Sequence, residues 1–278
     1  MGTYRGNAGT SGTGVTWIAG YALAGALIGF LAGMLGIGGG MTLVPILAAM
    51  FTAQGLIPEH NVHLALGTCM ASIMFTAAAG VREHQRHGVV DWGVARRMVP
   101  GMVVGTFAST AAAGFLPQRA LALAFAVIVF AGATQILLGR KPPASRSLPA
   151  TGPLFAVGVT IGVISGLVSA GGAFLSMPFM MYCGIPVRTA IATAAAISIP
   201  IGLVGTLGYI GSGWNVPGLP SGSLGFVYLP ALLALVAAST LTAPFGARAA
   251  HRMPVDTLRR IFAGSLFLLA TKMIVTYW

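Results

Sequence analysis

Acidic side chains are almost missing from this chain: Glu59, Glu83, Asp91 and Asp256 are the only four in 278 residues. Charged residues of all kinds make up 7%, against roughly a quarter in a soluble domain. Hydrophobic residues make up 56%, and the mean hydropathy is +0.88. A soluble globular protein is excluded. The four acids fall in loops or at the ends of apolar segments, so no carboxylate lies inside those segments to carry a cation or relay a proton. Cysteine is nearly as scarce. Cys69 and Cys183 each sit in an apolar stretch, with no C-x-x-C spacing and no histidine beside them, so neither a zinc site nor a disulfide framework is indicated. No metal and no cofactor is expected. The first sixteen residues, MGTYRGNAGTSGTGVT, lack the apolar core and cleavage site of a signal peptide and read as a flexible tail.

Apolar runs of spanning length are what the chain has in abundance. They lie at about 17–35, 62–80, 98–115, 120–138, 154–168, 188–210, 226–245 and 258–277, each near the roughly 20 residues that cross a bilayer core. Two shorter pieces, 41–53 and 173–183, follow glycine-rich interruptions. The lipid bilayer is therefore one partner. The 15 Lys and Arg lie in short loops without an aromatic-interleaved patch, so they serve as topology signals and nucleic acid is not expected as a partner.

The sequence repeats itself. Placing LIGFLAGMLGIGGGMTLVPIL (27–47) over TIGVISGLVSAGGAFLSMPFM (160–180) aligns Gly29 with Gly162, Gly33 with Gly166, Gly38 and Gly39 with Gly171 and Gly172, and Pro45 with Pro178. Further on, VHLALGTCMASIMFTAAAG (62–80) matches VRTAIATAAAISIPIGLVG (187–205), which places Thr68 on Thr193 in a shared A-x-x-T frame. The expected organisation is a tail at 1–16, a first repeat at 17–138, a cytoplasmic linker at 139–153 and a second repeat at 154–278. Loop charge indicates that the copies are inverted. Arg82, Arg86, Arg96 and Arg97 mark one loop while its counterpart at 209–224 is uncharged; Arg119 is alone in the next, while its counterpart holds Arg248, Arg252, Arg259 and Arg260. By the positive-inside rule, equivalent loops then face opposite sides and both termini lie outside. The fold class expected is an all-α polytopic membrane protein of two inverted repeats, about five segments each, with helices broken near the midplane.

Gly36, Gly38, Gly39 and Gly40 fall within five positions, and glycine costs a helix interior roughly 1 kcal/mol relative to alanine. Such a cluster ends a helix. The freed backbone groups must be buried in protein or line a cavity, because lipid cannot satisfy them. A helix restarting near Met41–Thr42, and its counterpart near Ala173–Phe174, would present N–H groups and a positive dipole end, which suits a small anion. Gly25, Gly29 and Gly33, like Gly158, Gly162 and Gly166, recur at a spacing of four and read instead as close helix packing. Candidate substrate-binding residues are Gly38, Gly39, Gly40, Met41, Thr42, Ser169, Gly171, Gly172 and Ala173, with Thr68 and Thr193 as hydroxyl donors. Cys69, beside Thr68, is either a contact for a sulfur-containing ligand or a small apolar filler.

The paired motifs GMLGIGGGMTLVPIL and GLVSAGGAFLSMPFM, each followed by an A-x-x-T segment, resemble the TauE/SafE family of sulfite exporters and organosulfonate permeases. The second motif departs from the first, with Ser169 in place of Gly36 and Ala173 in place of Gly40. The resemblance implies transport of sulfur-containing anions such as sulfite or sulfonates across the bacterial inner membrane. The expected function is secondary transport by alternating access. An anion channel is the alternative, and a thiol-dependent membrane enzyme is weaker still because no His, Asp or Lys accompanies Cys69. No catalytic residue is expected.

Overall fold

The structure is a computed structural model, and it describes residues 11–35, 39–86, 88–138, 147–249 and 255–277. Ten helices follow in order among the described residues: α1 Ser11–Leu35, α2 Gly40–Ala53, α3 Asn61–Arg86, α4 Trp92–Ala113, α5 Gln118–Leu138, α6 Thr151–Val168, α7 Ala173–Tyr182, α8 Val187–Gly213, α9 Leu229–Ala249 and α10 Val255–Tyr277. α1 begins inside the segment expected as a tail, and α6 inside the expected linker. Among the described residues six helices, α1, α3, α5, α6, α8 and α9, are long and apolar enough to cross a membrane. The chain is a nearly all-helical, multi-pass membrane protein.

Two of the expected spans look different in three dimensions. α4 starts at Trp92 because the Asp91 side chain accepts the Val94 N–H at 3.0 Å, a capping bond that offsets one orphan donor of the first turn. That start takes Arg96 and Arg97 into the helix and makes it less apolar than the run at 98–115. In α10 the apolar stretch is Ala263–Tyr277. α2 and α7 are short, as the breaks required.

α3 and α8 pack on each other at the centre. α3 also carries α2 and α9; α8 carries α7 and α4; α1 lies on α9, α6 on α4, and α5 on α10. Exchanging α1 to α5 for α6 to α10 maps this set of pairings onto itself, and all of them but α2 with α3 and α7 with α8 join one half to the other. Glycine makes the outer pairings close. A Cβ on Gly25 would stand 2.6 Å from the Leu235 carbonyl oxygen, and one on Gly29 or Gly162 would run into the Ser239 or Met102 backbone. Small residues let helix backbones approach in this way, which is the packing role that their spacing predicts. Leu23 on α1, Leu233 and Leu241 on α9, and Leu268 and Val275 on α10 face outward, as a lipid-facing surface requires. Lys272 is also exposed on α10.

A short hairpin precedes α9. β1 (Ser223–Leu224) pairs antiparallel with β2 (Val227–Tyr228), Ser223 opposite Tyr228 and Leu224 opposite Val227. Gly225 turns it with a φ of +53°, and the buried Phe226 donates its N–H to the Tyr209 carbonyl at 3.2 Å. By sequence this stretch reads partly as loop and partly as the span at 226–245.

Candidate functional site

Both interruptions fall where the glycines cluster. α1 ends at Leu35 and α2 restarts at Gly40; α6 ends at Val168 and α7 restarts at Ala173. The residue before each restart, Gly39 in one half and Gly172 in the other, has a left-handed backbone with φ of 64° and 81°. L side chains avoid that region, and the left-handed helix conformation costs them about 1–2 kcal/mol. Glycine at both positions is therefore a requirement of the turn. Gly36 and Gly38 lie outside the described residues. In the second half Ser169 caps α6 with a φ of 49°. Its strain is countered by a hydroxyl that donates to the Leu66 carbonyl oxygen at 2.8 Å. Nearby, the Tyr209 hydroxyl donates to the carbonyl of Gly166 at 2.9 Å.

The two breaks meet at one stripe of α3. Gly40 lies so close to Ser169 that a Cβ there would overlap the Ser169 carbonyl oxygen. The Cys69 thiol lies 3.6 Å from the Gly40 carbonyl oxygen and 3.8 Å from that of Ser169. Ile73, one turn further along α3, touches both sides: its Cδ1 would be 2.9 Å from a Cβ on Gly40, and its Cγ2 2.7 Å from one on Gly171. Leu66, Cys69 and Ile73 share one helix face. Gly171 also borders the Ser198 hydroxyl, and Gly172 borders Met102 and Ile201. Gly39, Gly40, Met41, Thr42, Cys69, Ser169, Gly171, Gly172 and Ala173 are all buried.

The Thr42 hydroxyl donates to the Gly39 carbonyl at 2.9 Å, and Leu43 N–H donates to the same oxygen at 3.1 Å. These bonds close the start of α2. Thr68 and Thr193, expected as substrate donors, occupy a different kind of position. Thr68 Oγ1 accepts the N–H of Tyr228 at 2.9 Å, and Thr193 Oγ1 accepts the N–H of Asp91 at 2.9 Å. Each threonine thus holds the residue immediately before α9 or α4, the equivalent helix of the opposite half. The repeated A-x-x-T frame identifies these two as a pair; nothing in it names partners that lie more than a hundred positions away. Ile73 and Tyr209 were not singled out by sequence, one because it is apolar and the other because it falls at the start of what reads as a loop.

No Asp, Glu, Lys, Arg or His occurs within 27–52 or 160–182, the two broken segments with their flanks. The polar groups available at the breaks are backbone N–H and C=O groups, hydroxyls and one thiol. Among the described residues no cluster of three His, Cys, Asp or Glu side chains is placed to hold a metal. A separate crevice of about 480 Å³ is lined by Pro117, Arg119 and Leu123 on one side and Met273, Ile274 and Tyr277 on the other. It lies between α5 and α10, not at the breaks.

The family described as sulfite exporter TauE/SafE matches residues 21–273. A probable membrane transporter protein of Haemophilus influenzae is 35% identical over 253 residues, covering 90% of this chain and 96% of the relative. The Bacillus subtilis probable membrane transporter protein YdhB is 28% identical, covering 68% and 77%. A probable membrane transporter protein of Methanocaldococcus jannaschii is 22% identical, covering 91% and 94%. No solved structure shows significant similarity to the chain.

Proposed function

The chain belongs to the sulfite exporter TauE/SafE family, and we propose that this membrane transporter is a secondary carrier of a small sulfur-containing oxyanion, sulfite or an organosulfonate. It exports this anion across the bacterial inner membrane, with both termini outside. One observation carries the reading: two helices restart at left-handed glycines, Gly39 and Gly172, and the breaks they leave meet at Cys69 and Ile73. Helix starts hold N–H groups with no intrahelical acceptor and a positive dipole end, and they bind anions for that reason. Amides of Gly38, Gly39, Gly40, Gly171 and Gly172 receive the anion's oxygens. Thr68 and Thr193, which accept an N–H from Tyr228 and Asp91, each keep a hydroxyl proton to donate to the anion.

Alternating access follows from the pairings. If the halves are inverted, the junctions Thr68 with Tyr228 and Thr193 with Asp91 lie toward opposite faces of the membrane, so rocking one half on the other opens one junction and leaves the other closed. Outward movement of an anion needs no coupled ion, since an outside-positive potential drives it by about 2.3 kcal/mol per charge per 100 mV.

Counterflow in proteoliposomes tests the reading. Vesicles loaded with unlabelled sulfite or sulfonate should transiently accumulate labelled anion from outside, and Gly39→Leu should abolish that accumulation. Flux without counterflow would identify a channel. If neither anion exchanges in folded protein, the reading fails.

A further inference from the structure

We propose that the site at the two breaks is matched to a single negative charge, so that it takes hydrogen sulfite or an organosulfonate and rejects sulfite and sulfate dianions, and that Ser176 is its side-chain donor. The inference rests on the transporter reading and narrows its substrate.

Charge is the first ground. The broken segments contain no cationic side chain, so an anion held there is balanced only by helix ends. Each helix start is equivalent to about half an elementary charge; α2 and α7 supply two, opposed by the C-terminal ends of α1 and α6 at the same breaks, so the site offers an anion at most about one positive charge. The residues around them are buried, and the cost of placing an ion in such surroundings grows with the square of its charge. A dianion therefore costs about four times as much as a monoanion to desolvate, with no cation to compensate.

Ser176 is the second ground, and it is independent. It lies in the first turn of α7 with no exposed surface, and its Oγ has no hydrogen-bond partner among the described residues. Many helical hydroxyls in the chain donate to a carbonyl one turn back, as Ser198 does to Ala194, Thr110 to Thr106 and Thr206 to Gly202, while Ser165 on α6 shares the unpartnered state of Ser176. In Ser176 it is only the backbone N–H that bonds back to Gly172, at 3.1 Å. Side chains on a helix lean toward its N-terminus, and Ser176 is on the same face as Ala173, the first residue of α7. That lean carries its hydroxyl toward the start of α7, the end of the helix that borders the break. A buried hydroxyl without a partner is unfavourable, and an anion oxygen would supply the missing acceptor. The equivalent residue in the first half is Leu43, so the donor is one-sided.

The test measures counterflow against pH for total sulfite and, in parallel, for an alkanesulfonate, whose charge does not change near neutrality. Above the second ionisation of sulfurous acid, the apparent KM for total sulfite should rise about tenfold per pH unit as hydrogen sulfite is depleted, while that for the sulfonate stays level. The sulfonate controls for titration of the protein. Cys69 on α3 and Tyr209 on α8 border the breaks, Asp91 precedes α4 beside Thr193, and His63 on α3 contacts Ala113, Leu116 and Phe226. Ser176→Ala should raise the KM for either anion about tenfold or more. It should leave the melting temperature of the anion-free protein unchanged or higher, because it removes an unpaired buried group. A KM for sulfite that does not change with pH, or competition by sulfate as strong as by sulfonate, overturns the monoanion assignment. An unchanged KM in Ser176→Ala, or a lowered melting temperature, overturns the role of Ser176. Either failure with wild-type counterflow intact leaves the transporter reading standing; loss of wild-type counterflow for every anion removes both.

Discussion

Gly40→Ala separates the two effects that glycine has in this fold. Gly40 is the first residue of α2 and has no left-handed backbone, so intrinsic propensity alone favours alanine, by up to about 1 kcal/mol. Packing opposes it. The added methyl would overlap the Ser169 carbonyl oxygen and stand 2.9 Å from Ile73 Cδ1. The obstacle is backbone, and it is anchored: the Ser169 hydroxyl is bonded to Leu66, and Ala170 N–H is bonded to Ser165 O at 3.1 Å. Relief requires the two breaks to move apart, and overpacking of that kind costs about 1–3 kcal/mol. Gly264 is the control, an exposed position within α10 at which a Cβ meets nothing within 4 Å. Gly264→Ala should be neutral or stabilising, while Gly40→Ala should be less stable than it by about 1–3 kcal/mol, or several degrees in melting temperature. The assay is thermal unfolding in detergent, followed by circular dichroism with all variants purified alike. Equal melting of the two variants would refute the close approach of the breaks and, with it, the geometry on which the anion site depends.

Two further predictions concern the junctions between halves and their orientation. Thr68→Val and Thr193→Val each leave a partly buried N–H, of Tyr228 or Asp91, without its acceptor; each should cost about 1–3 kcal/mol in the same melting assay, with Thr→Ser restoring stability at both positions. In a Cys69→Ser, Cys183→Ser background, Gln85→Cys is exposed in the last turn of α3 and Ser221→Cys on the loop after α8. An impermeant maleimide should label Ser221→Cys on whole cells but Gln85→Cys only after permeabilisation, and labelling of both from one side would refute the inversion.

The positions of the breaks were legible in the sequence because adjacent glycines have no role on the face of a packed helix; the helices restart at Gly40 and Ala173, within two residues of the expected positions. The pairing surfaces of α1 and α6 were legible for a related reason, since glycines spaced four apart lie on one helix face. Helix starts at the membrane boundary were less so. Hydropathy moved the start of α4 beyond Arg96 and Arg97, whereas the backbone obeys the Asp91 cap. The hairpin at 223–228 was missed because strands of two residues have no periodicity to detect. Thr68 and Thr193 were found as a pair, yet their partners belong to the opposite half and only the folded chain brings them together.

The fold is symmetric in its frame and asymmetric at its centre. Pairings of α1 with α9 and α6 with α4, and the two threonine junctions, interchange when the halves are exchanged. At the breaks the equivalence lapses: Gly36, Gly40 and Leu43 correspond to Ser169, Ala173 and Ser176. Of the two hydroxyls that the second half adds, Ser169's is committed to Leu66 and holds a strained turn, while Ser176's is uncommitted. A two-fold frame gives a rocking carrier two related end states, whereas a one-sided donor keeps the anion attached to the same helix in both. On the proposed rocking mechanism with Ser176 as donor, the half that contains α7 would carry the anion and the half that contains α2 would open and close around it.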